Sequence, residues 1–204
     1  AVEHIEKGLQ YQKNNYKVLY MLGRCYGALS DNEKSLSAYK MALDFNPTYT
    51  KASFEIAKIY KNIGDFDTSR KFLNDIIIIS KDSKSYELLL DIEIQTNNLS
   101  QALKIGQKGL IANPDSYTLL ARMAGLYNEL SDYKKAKTTA KNSMKIKRNY
   151  APAAFELGIA EISLCNKVAA KEAFATAKRD RNYRKAASSY LKPENFEHYT
   201  SHCN

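Results

Sequence analysis

An all-α fold, a stack of antiparallel helix pairs, is what this sequence predicts, and three observations predict it. Its 204 residues hold four prolines, eight glycines, no tryptophan and long runs of Ala, Leu, Lys and Glu, a composition that favours helix. Residue types return at a spacing of about 34 positions, the mark of a tandem array. A polar residue returns with them, as Asp31, Asp65, Asn98, Asp132 and Asn166. With 44% hydrophobic and 26% charged residues, the chain can bury a substantial core.

The register can be followed slot by slot. A small or apolar residue recurs at Gly23, Ala57, Leu90, Ala124 and Gly158, and three positions later come Tyr26, Tyr60, Glu93, Tyr127 and Glu161. Further on stand Ser35, Ser69, Ala102, Ala136 and Ala170, then Tyr39, Leu73, Gly106, Ala140 and Phe174. One step, between the second and third copies, is a residue short. In the best copy, Tyr16 to Tyr49, the residues Leu19, Leu22, Gly23, Tyr26 and Leu29 fall on one helical stripe. A second stripe carries Leu36, Tyr39 and Leu43, with Ser35 and Ala42 between. Small residues let two helix backbones approach while tyrosines fill the space beside them. The recurring Asp or Asn is expected to accept hydrogen bonds from the free amides that open the second helix. Pro47 and Pro114 end their helices because proline cannot continue the ladder.

Leu19, Leu22, Gly23, Tyr26, Tyr39, Ala42 and Pro47 resemble the tetratricopeptide repeat, whose pattern is Trp-x-x-Leu-Gly-x-x-Tyr, then Ala-x-x-x-Phe, then Pro. Leu19 stands in the tryptophan slot. The resemblance covers nearly the whole chain and implies a right-handed superhelical α-solenoid. Repeats are expected over 16–49, 50–82, 83–116, 117–150 and 151–182. Ala1, Ile5 and Gly8 fill second-helix slots, so residues 1–15 read as the second helix of a truncated repeat. Residues 183–192 resemble the closing helix of such stacks, with Tyr183, Ala187 and Tyr190 covering the last repeat, and 193–204 read as a tail.

Some segments depart from the pattern. In 83–116, Glu93 replaces the packing tyrosine and Gly106 and Gly109 sit in mid-helix, each costing about 1 kcal/mol relative to Ala. That repeat is either locally loose or a hinge. Glu161 is a similar departure, expected to pair with Arg181 or Arg184. The β-branched run Ile76 to Ile79 reads as a buried helix end rather than a strand.

The charge of +9 is lopsided. Residues 1–102 hold 13 Lys and Arg against 13 Asp and Glu, whereas 103–204 hold 18 against 9. Two clusters dominate the excess: Lys134, Lys135, Lys137, Lys141, Lys145, Lys147 and Arg148, then Lys178, Arg179, Arg181, Arg184 and Lys185. Such a cluster is a solvated face or a footprint for an anionic polymer. It lacks the exposed aromatics that stack bases, so nucleic acid is not the expected partner. Cys25, Cys165 and Cys203 suggest neither a metal pair nor a disulfide framework. His198, His202 and Cys203 approximate ligand spacing but fall in the expected tail, so no metal is expected, and no cofactor. No run is apolar and long enough to span a membrane, and the compartment stays open.

In the family it resembles, the first helix of every repeat lines a concave groove. The slots carried over are Lys17, Tyr20 and Arg24, then Lys51, Phe54, Lys58 and Lys61, then Lys84, Glu87 and Asp91. Further along, the slots become small or apolar, with Asn128, Phe155, Ile159 and Ile162 among them. Lys17, Lys51 and Lys84 hold one equivalent slot in three successive repeats, which chance also gives where lysine is the common exposed residue. Cations beside Tyr20 and Phe54 suit an acidic or carboxylate-ended segment. The Lys, Asn, Asn, Lys, Arg set by which some relatives grip chaperone tails is missing, since its slots hold Tyr20, Arg24, Glu55, Lys84 and Leu88. With no glycine-rich phosphate loop and no histidine among the groove slots, the expected function is a protein-binding scaffold and not an enzyme.

Overall fold

The computed structural model describes residues 2–4, 7 and 14–203. Among them are twelve α-helices and no strand: α1 (Tyr16–Ala28), α2 (Asn32–Phe45), α3 (Thr50–Asn62), α4 (Phe66–Ser80), α5 (Ser83–Gln95), α6 (Leu99–Ala112), α7 (Tyr117–Glu129), α8 (Tyr133–Ile146), α9 (Ala151–Ser163), α10 (Lys167–Ala177), α11 (Arg184–Leu191) and α12 (Pro193–Tyr199). The chain divides into two compact units, Ala1–Ile92 and Glu93–Asn204. The expected register of Ala1, Ile5 and Gly8 lies outside the described residues.

The turn that folds one helix back on the next is built the same way five times. The residue before the polar position takes the left-handed conformation at Ser30 (φ 61°), Gly64 (85°), Asn97 (59°), Ser131 (58°) and Cys165 (60°). The amide after it donates to a carbonyl five residues back, as Asp31 N to Tyr26 O (3.0 Å), Asn98 N to Glu93 O (2.7 Å) and Asn166 N to Glu161 O (2.8 Å). This closure satisfies carbonyls the helix end would leave bare. Glycine is the residue that adopts this conformation freely, yet only one of the five is glycine.

In the first unit, α1 pairs with α2 and α3 with α4. Leu19, Tyr39, Ala42, Ala52 and Ile56 form its centre. A Cβ added at Gly23 would lie 2.5 Å from the Tyr39 ring, so a side chain there would drive the helices apart. The Ser35 hydroxyl donates to Gly23 O and the Ser69 hydroxyl to Ala57 O, both at 2.8 Å and both buried. The small-residue slot thus also ties the two helices of a pair together. Ile76 is buried, but Ile78 and Ile79 are exposed, so the isoleucine run is helical without being a buried end. Four consecutive residues span more than one turn, and only one stripe of a helix can face the core.

In the second unit, α7 pairs with α8 and α9 with α10. Gly158 abuts the Phe174 ring, where a Cβ would come within 2.7 Å, and Gly106 abuts Met123. Gly106 and Gly158, which weaken helices α6 and α9, are therefore sites of close approach. Tyr190 of α11 stacks on Phe174, with ring centroids 4.5 Å apart, and Phe155 meets Tyr183 and Tyr190 edge-on or tilted. The residues expected to form a tail are ordered against this face. Pro193 opens α12, Phe196 is buried in the cluster with Phe174 and Ala187, and Tyr199 stacks on Tyr190. Phe196 supplies the apolar anchor that holds the segment down.

Candidate functional site

A hollow of about 620 Å³ opens in the first unit. Helix α1 lends it Tyr20 and Arg24, α3 lends Thr50, Lys51, Phe54 and Glu55, and the α4–α5 corner lends Ile76, Ser80, Asp82 and Lys84. Its acids are occupied within the chain. Glu55 takes Lys58 at 2.7 Å, and Asp82 accepts from the amide and hydroxyl of Ser85 at 3.0 and 2.9 Å. Arg24, Lys51 and Lys84 form no ion pair among the described residues. Two aromatic rings and three cations therefore face one space. A smaller hollow of about 370 Å³ adjoins it through Arg24 and Glu55 and takes in Lys58, Ile59 and Asn62.

Of the residues expected in a groove, Tyr20, Arg24, Lys51, Phe54 and Lys84 line the larger hollow and Lys58 the smaller. Lys17, Lys61, Glu87 and Asp91 line neither. Lys17 is exposed, with its ammonium 5.8 Å from the centroid of the Tyr16 ring. Glu87 and Asp91 each have a partner within the chain. In the second unit the apolar slots are covered, because Ile162 is buried and Phe155 packs under α11. Asn128 donates from Nδ2 to Glu156 O and Oε2, both at 2.9 Å. Burial holds the Glu156 carboxyl above its ordinary range.

Glu161 corrects a second expectation. It is buried, and its partners are Lys137 (3.0 Å), Lys141 (3.7 Å) and the Nδ2 of Asn166 (2.7 Å) rather than Arg181 or Arg184. The basic cluster is thereby partly consumed. Lys135 pairs with Asp132 at 2.7 Å, and Lys147 lies over the rings of Tyr117 and Tyr150.

The recurring turn residue also splits into two kinds. Asp31, Asp65 and Asp132 accept from the amides of Lys34, Thr68 and Lys135 at 3.1, 3.0 and 3.2 Å, as a helix cap does. Asn98 and Asn166 make no such cap. Each turns its Nδ2 back to a buried glutamate, Asn98 to Glu93 Oε2 at 3.0 Å and Asn166 to Glu161 Oε2 at 2.7 Å. Asp follows the slot where tyrosine stands, and Asn follows the slot where glutamate stands. A buried carboxylate needs donors, which Asn supplies and Asp does not.

Residues 16–49 match the tetratricopeptide repeat family profile. The fold is that of a tetratricopeptide repeat protein. Among solved structures, YrrB, described as a TPR protein with an unusual peptide-binding site, is 14% identical with a TM-score of 0.65, covering 92% of this chain and 99% of its own. TTC0263, a thermophilic TPR protein of Thermus thermophilus, is 19% identical with a TM-score of 0.67, covering 86% and 98%. A chain of the Cut9–Hcn1 assembly of the APC/C is 17% identical with a TM-score of 0.74, covering 93% of this chain and 39% of its own. No curated protein matches the sequence.

One constellation of this tetratricopeptide fold escapes the repeat pattern. Cys165, in the turn between α9 and α10, forms a disulfide with Cys203, 38 positions later, with Cα atoms 5.3 Å apart. This overturns the reading of three unrelated cysteines; the pairing depends on α12 folding back. His202 Nε2 lies 3.4 Å from Cys203 Sγ, and the donor atoms of Cys165, His202 and Cys203 lie within 4.8 Å of one another. His198 is not part of that group; its ring packs on Tyr199. Among the described residues, no helix is long and apolar enough to cross a membrane.

Proposed function

We propose that this chain is a protein-interaction scaffold whose first-unit hollow receives an acidic or carboxylate-ended segment of a partner. The observation that carries the reading is the set Arg24, Lys51 and Lys84, three cations without ion pairs among the described residues, gathered beside Tyr20 and Phe54. Arginine and lysine offer charge-assisted hydrogen bonds to carboxylate, and the two rings give an apolar floor for a side chain. A tetratricopeptide fold and its likeness to YrrB, which has a peptide-binding site, support the same reading. The second-unit lysines are a poorer site for an anionic polymer, because Lys135, Lys137, Lys141 and Lys147 already have partners.

The test is fluorescence anisotropy with short labelled peptides that vary in acidity and end in a free or an amidated carboxylate. Acidic, free-ended peptides should bind best, and more weakly as salt rises. The triple reversal R24E/K51E/K84E should lower affinity by about a hundredfold, from roughly 1 kcal/mol per charged contact, with the circular dichroism unchanged. Equal binding of acidic and basic peptides, or no loss in the triple variant, would overturn the proposal. Tighter binding of single-stranded nucleic acid than of any peptide would do so as well.

A further inference from the structure

We propose that Cys165, His202 and Cys203, once the disulfide is reduced, form a binding site for a zinc-class metal ion. A disulfide needs two residues, and a third donor has been brought to this one. His202 Nε2 lies 3.4 Å from Cys203 Sγ, on the exposed side of the bond, and the three donor atoms fit within 4.8 Å. Two thiolates and an imidazole make the soft, mixed sulfur–nitrogen set that suits zinc.

The sequence of the turn points the same way. The left-handed position that Cys165 occupies is filled by Ser30, Gly64, Asn97 and Ser131 in the other turns. Serine, whose side chain has the same shape as cysteine, serves at two of those turns, so the backbone there asks for no thiol. Its partner segment is docked without the covalent bond. Phe196 and Thr200 are buried, Tyr199 stacks on Tyr190, and the Lys171 ammonium lies 4.7 Å from the Phe196 ring centroid. Reduction therefore leaves the three ligands side by side. Cys165 and His202 are exposed, which gives an ion access, and a fourth coordination position falls to solvent or to an added ligand.

The chemistry balances with a phosphine as reductant. The phosphine takes oxygen from one water and becomes the oxide, while the two hydrogens of that water end on the Cys165 and Cys203 sulfurs. Ligation then releases both thiol protons to the buffer.

The full chain is reduced with a phosphine, freed of it without air, and titrated with cobalt(II) as a spectroscopic stand-in for zinc. A thiolate-to-cobalt charge-transfer band should saturate at one equivalent and bleach when one equivalent of zinc is added. C165S and C203S should each abolish the band, H202A should weaken binding by about tenfold or more, and C25S should leave it intact. Zinc should also protect two of the three thiols from alkylation, read by mass spectrometry on the unmutated chain. Absence of a charge-transfer band at one equivalent, its survival in C165S or C203S, or three equally reactive thiols in the presence of zinc would overturn the site.

Discussion

Replacing Asn166 by Asp tests what the turn residue does in a glutamate-bearing repeat. Asp and Asn are equally good helix caps, so a capping role makes this substitution nearly silent. The structure gives Asn166 a different role, donating from Nδ2 to Glu161 Oε2 at 2.7 Å while making no cap of its own. Glu161 is 1% exposed. Loss of a hydrogen bond to a charged acceptor costs about 1.5–3 kcal/mol. The new carboxylate adds repulsion of about 1–2 kcal/mol, since residue 166 is exposed and can turn toward water. A regained cap offsets about 1 kcal/mol. The net is about 1.5–4 kcal/mol of local destabilisation, and Lys137 and Lys141 prevent a larger loss by holding Glu161 from the other side. Because repeat arrays do not unfold as one unit, the measurement is native-state hydrogen exchange of the α9 and α10 amides. Protection there should fall by roughly thirtyfold for each 2 kcal/mol lost. Asn166→Ala should cost about as much, and pairing Asn166→Asp with Glu161→Gln should recover much of the loss, because Gln can donate to the new acid. If Asn166→Asp exchanges like the parent while Asn166→Ala does not, the residue is a cap and the reasoning fails.

Three other outcomes follow from the same contacts. Gly158→Ala should destabilise by about 1–3 kcal/mol, since its Cβ meets the fully buried Phe174 ring at 2.7 Å; a smaller effect in urea unfolding of α9 and α10 would show that the ring can yield. Glu156→Gln should stabilise the second unit at pH 7, because burial raises the carboxyl and disfavours its charged form in the fold. That gain should vanish at acid pH, where both states carry a protonated acid, and melting curves at the two pH values compare them. Burial, and then the Glu55 charge, push the Tyr39 phenol up to about 12. The unfolded chain ionises first, so stability should fall as pH rises from the ordinary phenol value of about 10 towards the raised one. Tyr39→Phe should flatten that alkaline decline in denaturant titrations.

Periodicity makes most of the fold legible. A hydrophobic stripe of period 3.6 and a turn residue every repeat identify helix pairs without any tertiary information. What the pattern hides depends on partners far apart in sequence. Glu161 finds Lys137 and Lys141, 24 and 20 positions earlier in the numbering, where neighbouring residues alone suggest the arginines that follow. The pairing of Asn with Glu and of Asp with Tyr, five positions apart, is written in the sequence. Pooling Asp and Asn as caps conceals it, although one accepts only and the other also donates. Tyr20, Arg24, Lys51, Phe54 and Lys84 fall to one hollow because equivalent slots stay near one another in successive repeats, whereas Lys17 is exposed and lines neither hollow. The C-terminal segment resembles a tail because seven helical residues carry too little periodic signal, and Phe196 alone marks the face it buries.

The Cys165–Cys203 bond makes the last three helices part of a closed loop of chain. Within that loop, Lys178, Arg179 and Arg181 form an exposed basic stretch outside any helix, open to a trypsin-like protease. A cut there would divide the backbone and yet release nothing. The two pieces would run together on a denaturing gel until a reductant separated α11 and α12 as a short peptide, so the nick would show only where the fold and the disulfide are both undone.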